Sequence, residues 1–277
     1  MPSVGTCMLM GQRADLALTE RGLVQSRSRA KALITEGKVC LNGRPLTKPS
    51  EPVEDADILT VTEDLPYVGR GGLKLAGALE LFPLTLTHRI CMDVGASTGG
   101  FTDCMLQNGA DRIYAIDVGH GQLAQSLREH PSVVNLEGTD IRELTPAELK
   151  PVPDFAGIDV SFISLRLVLP AVYTLLNRES DCIALIKPQF EAGRAHIGKH
   201  GIVRDPKAHV QVLTDTLAFA RQIGFTAAGL TVSPIHGGSG NTEYLAWLTK
   251  GRDMPEHIPE LHALVKSALS PERSNPC

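Results

Sequence analysis

Ile90-Cys91-Met92-Asp93-Val94-Gly95-Ala96-Ser97-Thr98-Gly99-Gly100-Phe101-Thr102-Asp103 is the stretch whose reading decides the fold. A short apolar run, a glycine-rich turn and a segment with helical spacing follow one another. That order predicts strand, turn and helix, the opening of a nucleotide-binding α/β unit. Glycine lets a backbone lie against a ligand and take angles closed to other residues. The spacing is not the Gly-x-Gly-x-x-Gly of dinucleotide enzymes, and no Gly-Lys-Ser/Thr follows to hold a triphosphate. An Asp closing the strand before Gly-x-x-x-Gly-Gly instead suits a small cationic cofactor, with S-adenosylmethionine (SAM) the candidate. Taken alone, such a turn can also be a tight connection and nothing more.

Working outward, apolar strand candidates recur at Ile90–Asp93, Ile113–Asp117, Val133–Leu136, Phe155–Val160, Cys182–Ile186, Ala227–Val232 and Glu243–Leu248. Helical patterns separate most of them, notably Leu165–Leu176 and Ala208–Ile223, and Leu73–Leu79 reads as a helix leading in. Alternating β and α elements predict an α/β domain over 73–250, a mostly parallel seven-stranded sheet with helices on both faces. Residues 64–72 read as a glycine-containing linker, and residues 251–277 as a tail.

Before the linker, residues 11–63 have a different character. Ala14–Leu18 begin a short helical pattern that stops near Gly22. Ser26 is a candidate N-cap for Arg27–Ile34, with Gly37 as the stop. Asn42-Gly43 between Val39–Leu41 and Arg44–Leu46 favours a type I′ hairpin, and Asp57–Val61 reads as a further strand. The result is a small α+β unit. From Arg13 to Lys48 there are eight Lys/Arg and three Asp/Glu, a local charge of +5 within a chain of net −4, which leaves −9 elsewhere. Such asymmetry points to an attached basic module. Arg27, Arg29, Lys31, Lys38, Arg44 and Lys48 cluster around one helix start and one hairpin, with Arg70 in the linker beyond. Added to helix-terminal amides they would form a phosphate-binding surface; a solvated helix face is the alternative.

At 277 residues with 43% hydrophobic content, the chain has room for one to two domains with true cores. Its six cysteines, Cys7, Cys40, Cys91, Cys104, Cys182 and Cys277, form no Cys-x-x-Cys pair. A zinc site or disulfide framework is not indicated, and no metal is expected. The run Cys7–Met10 is too short for a signal core, and no apolar run approaches the ~18 residues of a membrane span. These features predict a cytoplasmic protein and fix no oligomeric state.

Ligands of open α/β sheets gather beyond the carboxyl ends of the strands. Asp93, Asp117 and Asp159 each close a predicted strand there, and Asp140 follows another. An Asp after the second strand is suited to accept from both hydroxyls of a ribose. Lys187 directly follows the apolar Ala184-Leu185-Ile186, an unusual place for an ammonium because desolvation is costly. It would share a rim with Asp159. Glu243 opens a late strand able to run beside them, and Lys74 lies in Gly-Gly-Leu-Lys-Leu near the domain start. A surface lysine just past a strand end is the other reading of Lys187. The basic segment His196–Arg204 could clamp RNA, close over the site, or be a solvated loop.

The motifs Ser-Arg-Ser-Arg-Ala-Lys-Ala-Leu-Ile, Tyr-Val-Gly-Arg-Gly-Gly-Leu-Lys-Leu, Asp-Val-Gly-Ala-Ser-Thr-Gly-Gly-Phe-Thr-Asp, Asp-Val-Ser-Phe-Ile-Ser, Lys-Pro-Gln-Phe-Glu-Ala-Gly, Gly-Ile-Val-Arg-Asp-Pro and Gly-Asn-Thr-Glu-Tyr occur in this order. With them the chain resembles the hemolysin A (TlyA) family of ribosomal RNA 2′-O-methyltransferases over about Arg13 to Lys250. The resemblance implies an S4-type RNA-binding domain before an FtsJ-like, Rossmann-like SAM-dependent methyltransferase domain. It implies a Lys-Asp-Lys-Glu set at Lys74, Asp159, Lys187 and Glu243, and ribosomal RNA or subunits as the partner, with cytidine riboses as targets.

Lys187 would take the hydroxyl proton, which requires the neutral amine; burial and Lys74 favour that form and Asp159 opposes it. Asp159 would therefore orient, and Glu243 would hold Lys74 or the ribose. Gly95, Ser97, Gly99, Gly100 and Phe101 would line the methionine portion with Asp93, Asp117 would take the ribose, and Asp140 the adenine amino group. Two further functions are weighed against this one: a membrane-lytic hemolysin, which no spanning segment supports, and a SAM-binding RNA adaptor without catalysis, which the complete polar set opposes. Pseudouridine synthases also carry S4 modules, but a cofactor-free enzyme has no use for the glycine-rich turn.

Overall fold

The computed structural model describes residues 11–24, 26–61, 66–193, 196–198, 201–252 and 254–270. The Met1–Met10 extension with Cys7, residues 64–65 of the expected linker, Lys199 and His200 of the basic loop, and the final residues with Cys277 lie outside them. The chain divides into two compact units, residues 1–65 and 66–277.

The first unit runs β1 (Gln12–Arg13), α1 (Ala14–Glu20), α2 (Arg27–Thr35), β2 (Val39–Leu41), β3 (Arg44–Pro45), β4 (Pro52–Val53) and β5 (Leu59–Val61). β1 pairs with β4, and a three-stranded sheet has the order β3-β2-β5. Ser26 caps α2, its side chain accepting from the Arg29 amide at 3.2 Å. Asn42 (φ 52°) and Gly43 (φ 78°) both take left-handed angles, as a type I′ turn demands. The Asn42 side chain locks that turn by donating to Asp57 at 2.7 Å and accepting from the Ile58 amide at 2.8 Å. Ala30, Leu33 and Ile34 place one face of α2 against Ala14, Ala17 and Leu18 of α1 and Val39 and Leu41 of β2.

The second unit runs α3 (Gly71–Leu81), β6 (Ile90–Val94), α4 (Gly100–Gln107), β7 (Arg112–Asp117), α5 (Gln125–Arg128), β8 (Val133–Glu137), β9 (Phe155–Ile158), α6 (Leu165–Leu175), β10 (Ser180–Ile186), α7 (Pro188–Glu191), α8 (Pro206–Gln222), β11 (Thr226–Val232), β12 (Tyr244–Lys250) and α9 (Leu261–Ala268). Its seven-stranded sheet has the order β11-β12-β10-β9-β6-β7-β8. β12 is antiparallel to both its neighbours, and the pairs among β10, β9, β6, β7 and β8 are parallel. Alternation along the strands sends Met92, Val94, Ala156, Ile158, Cys182 and Ala184 towards α6 and α8, and Cys91, Phe155, Ile183 and Leu185 towards α3 and α4. β10 is buried throughout, the pattern of a strand covered on both faces.

Two sequence expectations need correction. Gly71 and Gly72, read as linker, are the first turn of α3. Glycine serves close packing there: a Cβ on Gly100, at the start of α4, would meet the Gly72 nitrogen at 2.9 Å and Gly71 Cα at 3.2 Å. The two helix starts therefore cross backbone to backbone. Phe101, assigned to the cofactor surface, is 2% exposed, with its ring in the core against Leu75 and Met105. Truncating Ile183 to Ala should cost about 2–5 kcal/mol in urea unfolding, whereas Leu81→Ala, at a side chain 64% exposed, should stay within about 0.5 kcal/mol.

Candidate active site

The chain runs β6-β7-β8 to one side of the sheet and returns with β9 beside β6, so the switch point lies between the ends of β6 and β9. Four polar side chains meet on this rim. Asp159 follows β9, Lys187 follows β10, and Lys74 comes from the first turns of α3. Glu243 precedes β12, and because Ile186 pairs with Tyr244 in an antiparallel register, the start of β12 lies beside the end of β10.

Lys74 Nζ donates to Glu243 Oε2 at 2.6 Å and lies 3.9 Å from Asp159 Oδ2. Lys187 Nζ lies 2.6 Å from Asp159 Oδ1 and donates to Ser161 Oγ at 2.9 Å. The Asp159 contact is an ion contact rather than an aligned hydrogen bond, since Oδ1 has no aligned donor despite its short distance. Gln189 Nε2 donates to the other oxygen of Glu243 at 2.9 Å. The lysine side chains are 9% and 8% exposed and Glu243 2%. A lone ammonium could not be kept there; two cations interleaved with two carboxylates can.

His209 of α8 steadies the Glu243 segment from below. Its Nε2 lies 3.0 Å from the Val203 carbonyl, which can only accept, so Nδ1 accepts from the Tyr244 hydroxyl at 2.9 Å. Burial lowers the pKa of His209, in keeping with a neutral ring. Asn241 accepts from the Val203 amide and donates to the Gly201 carbonyl, so this end of the 196–204 segment is tied to the stretch that leads through Glu243 into β12.

The glycine-rich turn lies alongside. Gly95 has φ 85°, and a Cβ there would come within 2.7 Å of the Asp159 carbonyl, so glycine is required by angle and by space. Gly99 caps α4 in a left-handed conformation. Asp93 is fully buried: one oxygen accepts from the Thr102 amide at 2.8 Å and hydroxyl at 2.6 Å, and Oδ1 has no partner. Asp117 accepts from the Ser97 and Gly119 amides, which shapes the loop after β7. Glu137, at the end of β8, was not singled out from sequence. It accepts from Asn135 and from the Leu123 and Gln122 amides, which pull its carboxyl down to about 2. Asp140 is engaged by the Arg142 guanidinium, a local pair that sequence reading did not anticipate.

Ser161 and Gln189 were also passed over, although both lie within recognisable motifs, because only the fold shows which side chains they meet. Among the described residues no group of three or more His, Cys, Asp or Glu could hold a metal ion. In the first unit, Asp15 is 0% exposed and gathers Arg13 at 2.9 Å, Arg27 at 3.1 Å and Lys31 at 4.0 Å. Arg44 pairs with Glu51 at 2.6 Å, and Arg70 of the second unit donates to the His236 carbonyl. Arg27, Lys31 and Arg44 thus have acidic partners within the unit. Arg29, Lys38 and Lys48 belong to the same unit.

Burial pushes the Asp93 carboxyl up to about 7 against its Thr102 hydrogen bonds, and Asp159 and Asp117 add to the rise. Between about 4, where an unfolded Asp ionises, and about 7, the folded chain keeps a proton that the unfolded chain has lost. The contribution to stability is therefore full at low pH and lost as pH rises through that window. Asp93→Asn, neutral throughout, should gain on the wild type by up to about 4 kcal/mol between about pH 4 and 8. Urea melts at both pH values check this; a pH-independent difference would exclude a buried protonated acid.

The FtsJ-like methyltransferase family matches residues 67–250, and the S4 domain family matches residues 12–59. A Bacillus subtilis (strain 168) protein provisionally named rRNA methyltransferase YqxC is 49% identical over 268 residues, 92% of this chain and 95% of its own. The 16S/23S rRNA (cytidine-2′-O)-methyltransferase TlyA of Mycobacterium tuberculosis (strain ATCC 25618 / H37Rv) is 43% identical over 260 residues, covering 93% and 97%. A solved structure from Streptococcus thermophilus with a provisional hemolysin name aligns with a TM-score of 0.75 at 45% identity, covering 94% of this chain and 96% of that one. An S4 domain followed by an FtsJ-like domain, with relatives this similar over nearly their whole length, shows that the chain belongs to the TlyA family of ribosomal RNA 2′-O-methyltransferases.

Proposed function

We propose that this protein transfers a methyl group from SAM to the 2′-hydroxyl of a cytidine ribose in small- or large-subunit ribosomal RNA. We further propose that Lys74, Asp159, Lys187 and Glu243 form its active site. The observation that carries this reading is the meeting of the four side chains on one strand rim, linked by contacts of 2.6 to 3.9 Å.

The residues at the turn fit the cofactor. Asp93 keeps a buried oxygen without a partner, and the space at Gly95 admits no side chain. Gly95, Ser97, Gly99 and Gly100 would border the methionine portion by their backbone, Asp117 the ribose and Asp140 the adenine, with the exposed Val118 as an apolar flank. SAM supplies a methyl group already activated on a sulfonium. The protein must then align the ribose and remove a proton. Lys187 accepts that proton, Asp159 orients Lys187, and Glu243 with Gln189 holds Lys74.

The residue 11–63 unit carries Arg27, Arg29, Lys31, Lys38, Arg44 and Lys48 and serves the RNA phosphates, with Arg70 in the 64–72 segment and the catalytic domain over 73–250. Asp15 neutralises one charge of its cluster and leaves the rest for backbone contacts. Ribosomal substrates suit a cytoplasmic site of action. A lytic function has little support, since among the described residues no helix is long and apolar enough to cross a membrane. An adaptor would have no need of two buried lysines.

The test is labelled methyl transfer from SAM to separated ribosomal subunits, followed by mapping of ribose methylation. Lys187→Ala should lower the single-turnover rate by about 10²–10⁴-fold and leave SAM affinity intact by calorimetry. An unchanged rate removes Lys187 from the mechanism. Lysis of cells by purified protein, indifferent to the same substitution, would favour the hemolysin.

A further inference from the structure

We propose that Ser161 is a positioning residue that sets the direction of the Lys187 amine; the inference rests on the reading of Lys187 as proton acceptor. A neutral lysine amine has two N–H bonds and one lone pair arranged around Nζ. One N–H is donated to Ser161 Oγ at 2.9 Å. Asp159 Oδ1, at 2.6 Å, draws on the side of the amine that faces it without an aligned bond. Ser161 therefore receives the directed hydrogen bond of Lys187 among the described residues. With one N–H held by Ser161, the negative Asp159 carboxylate repels the lone pair from the side it faces, so the lone pair is favoured in the remaining direction.

The choice of a hydroxyl has a chemical consequence. A carboxylate would aim the amine equally well, but its charge would favour the ammonium and oppose proton uptake. Asp159 already exerts that pull. A neutral acceptor fixes direction with little further bias towards the charged form. The step then balances as follows. The ribose O–H bond breaks and its proton forms a new N–H bond on the Lys187 lone pair. The oxygen pair forms the O–C bond to the methyl carbon, and the former C–S pair remains on sulfur as a neutral thioether.

The segment bearing Ser161 is built to hold it there. At one end the Asp159 amide donates to the Val94 carbonyl at 3.0 Å. At the other, Glu191 accepts from the Ser164 hydroxyl at 2.6 Å and the Leu165 amide at 2.8 Å. Between them Phe162 takes φ 64°, a left-handed angle rarely adopted by a bulky residue. Such local strain persists only where the surroundings impose it. Ser161 itself is exposed, so its removal leaves no cavity in the core.

The experiment measures single-turnover methylation of ribosomal subunits across pH for the full-length protein and Ser161→Ala, Ser161→Thr and Ser161→Asp. Ser161→Ala should lower the plateau rate by roughly 10- to 100-fold, with SAM and RNA affinity within about twofold of wild type. Ser161→Thr should restore most of the rate, and Ser161→Asp should move the rising limb of the profile to higher pH. A Ser161→Ala plateau equal to wild type overturns the proposal, as does a defect confined to RNA affinity. Loss of activity in Lys187→Ala with full activity in Ser161→Ala would sink this inference and keep the proposed function. Full activity in both, or no methyl transfer by the wild type, would sink the two together.

Discussion

Two lysines buried at the tips of a sheet impose a condition that much of the second unit serves to meet. Each needs a carboxylate within a few ångströms, because an unpaired ammonium in such surroundings would cost several kcal/mol. Lys187 has Asp159 on the adjoining strand end, and Lys74 has Glu243 from the strand on the other side. Both are satisfied at once by the order β12-β10-β9 and the antiparallel direction of β12, which bring the Asp159, Lys187 and Glu243 positions to one rim. The lattice of two cations and two carboxylates is neutral as a whole.

The parallel order of β10, β9, β6, β7 and β8 was legible because buried strands are apolar runs and the runs from Ile90 to Ile186 are separated by turns and helical spacing. Their ends shifted by at most two residues, as in the strand from Phe155, which stops at Ile158 before Asp159 takes up its polar contacts. Insertion of β12 between β10 and β11 was not legible, since nothing local in Tyr244–Lys250 states which edges it will join. The glycine pair Gly71-Gly72 looked like a flexible joint, yet it is a helix start pressed on another backbone. Composition alone cannot separate freedom of rotation from lack of bulk.

Partner choice among polar residues was the other hidden quantity. Asp15 was counted among the acids that diluted a basic segment, but in the structure it is the point on which Arg13, Arg27 and Lys31 converge. Asp140 had the right place after a strand, and only the fold discloses that Arg142 occupies its oxygens. Ser161 and Gln189 meet Lys187 and Glu243 across 26 and 54 residues of chain. Distances of that kind follow from topology, which a single sequence encodes without displaying.

The ion pair between Lys74 and Glu243 spans 169 positions of the chain. During synthesis the amine is made long before its carboxylate, and β12 is the last strand of the sheet to leave the exit tunnel. Until then the carboxylate available to Lys74 is that of Asp159, 3.9 Å away in the finished fold, and contacts so distant in sequence close late in folding. The candidate site is therefore complete only once β12 has joined the sheet.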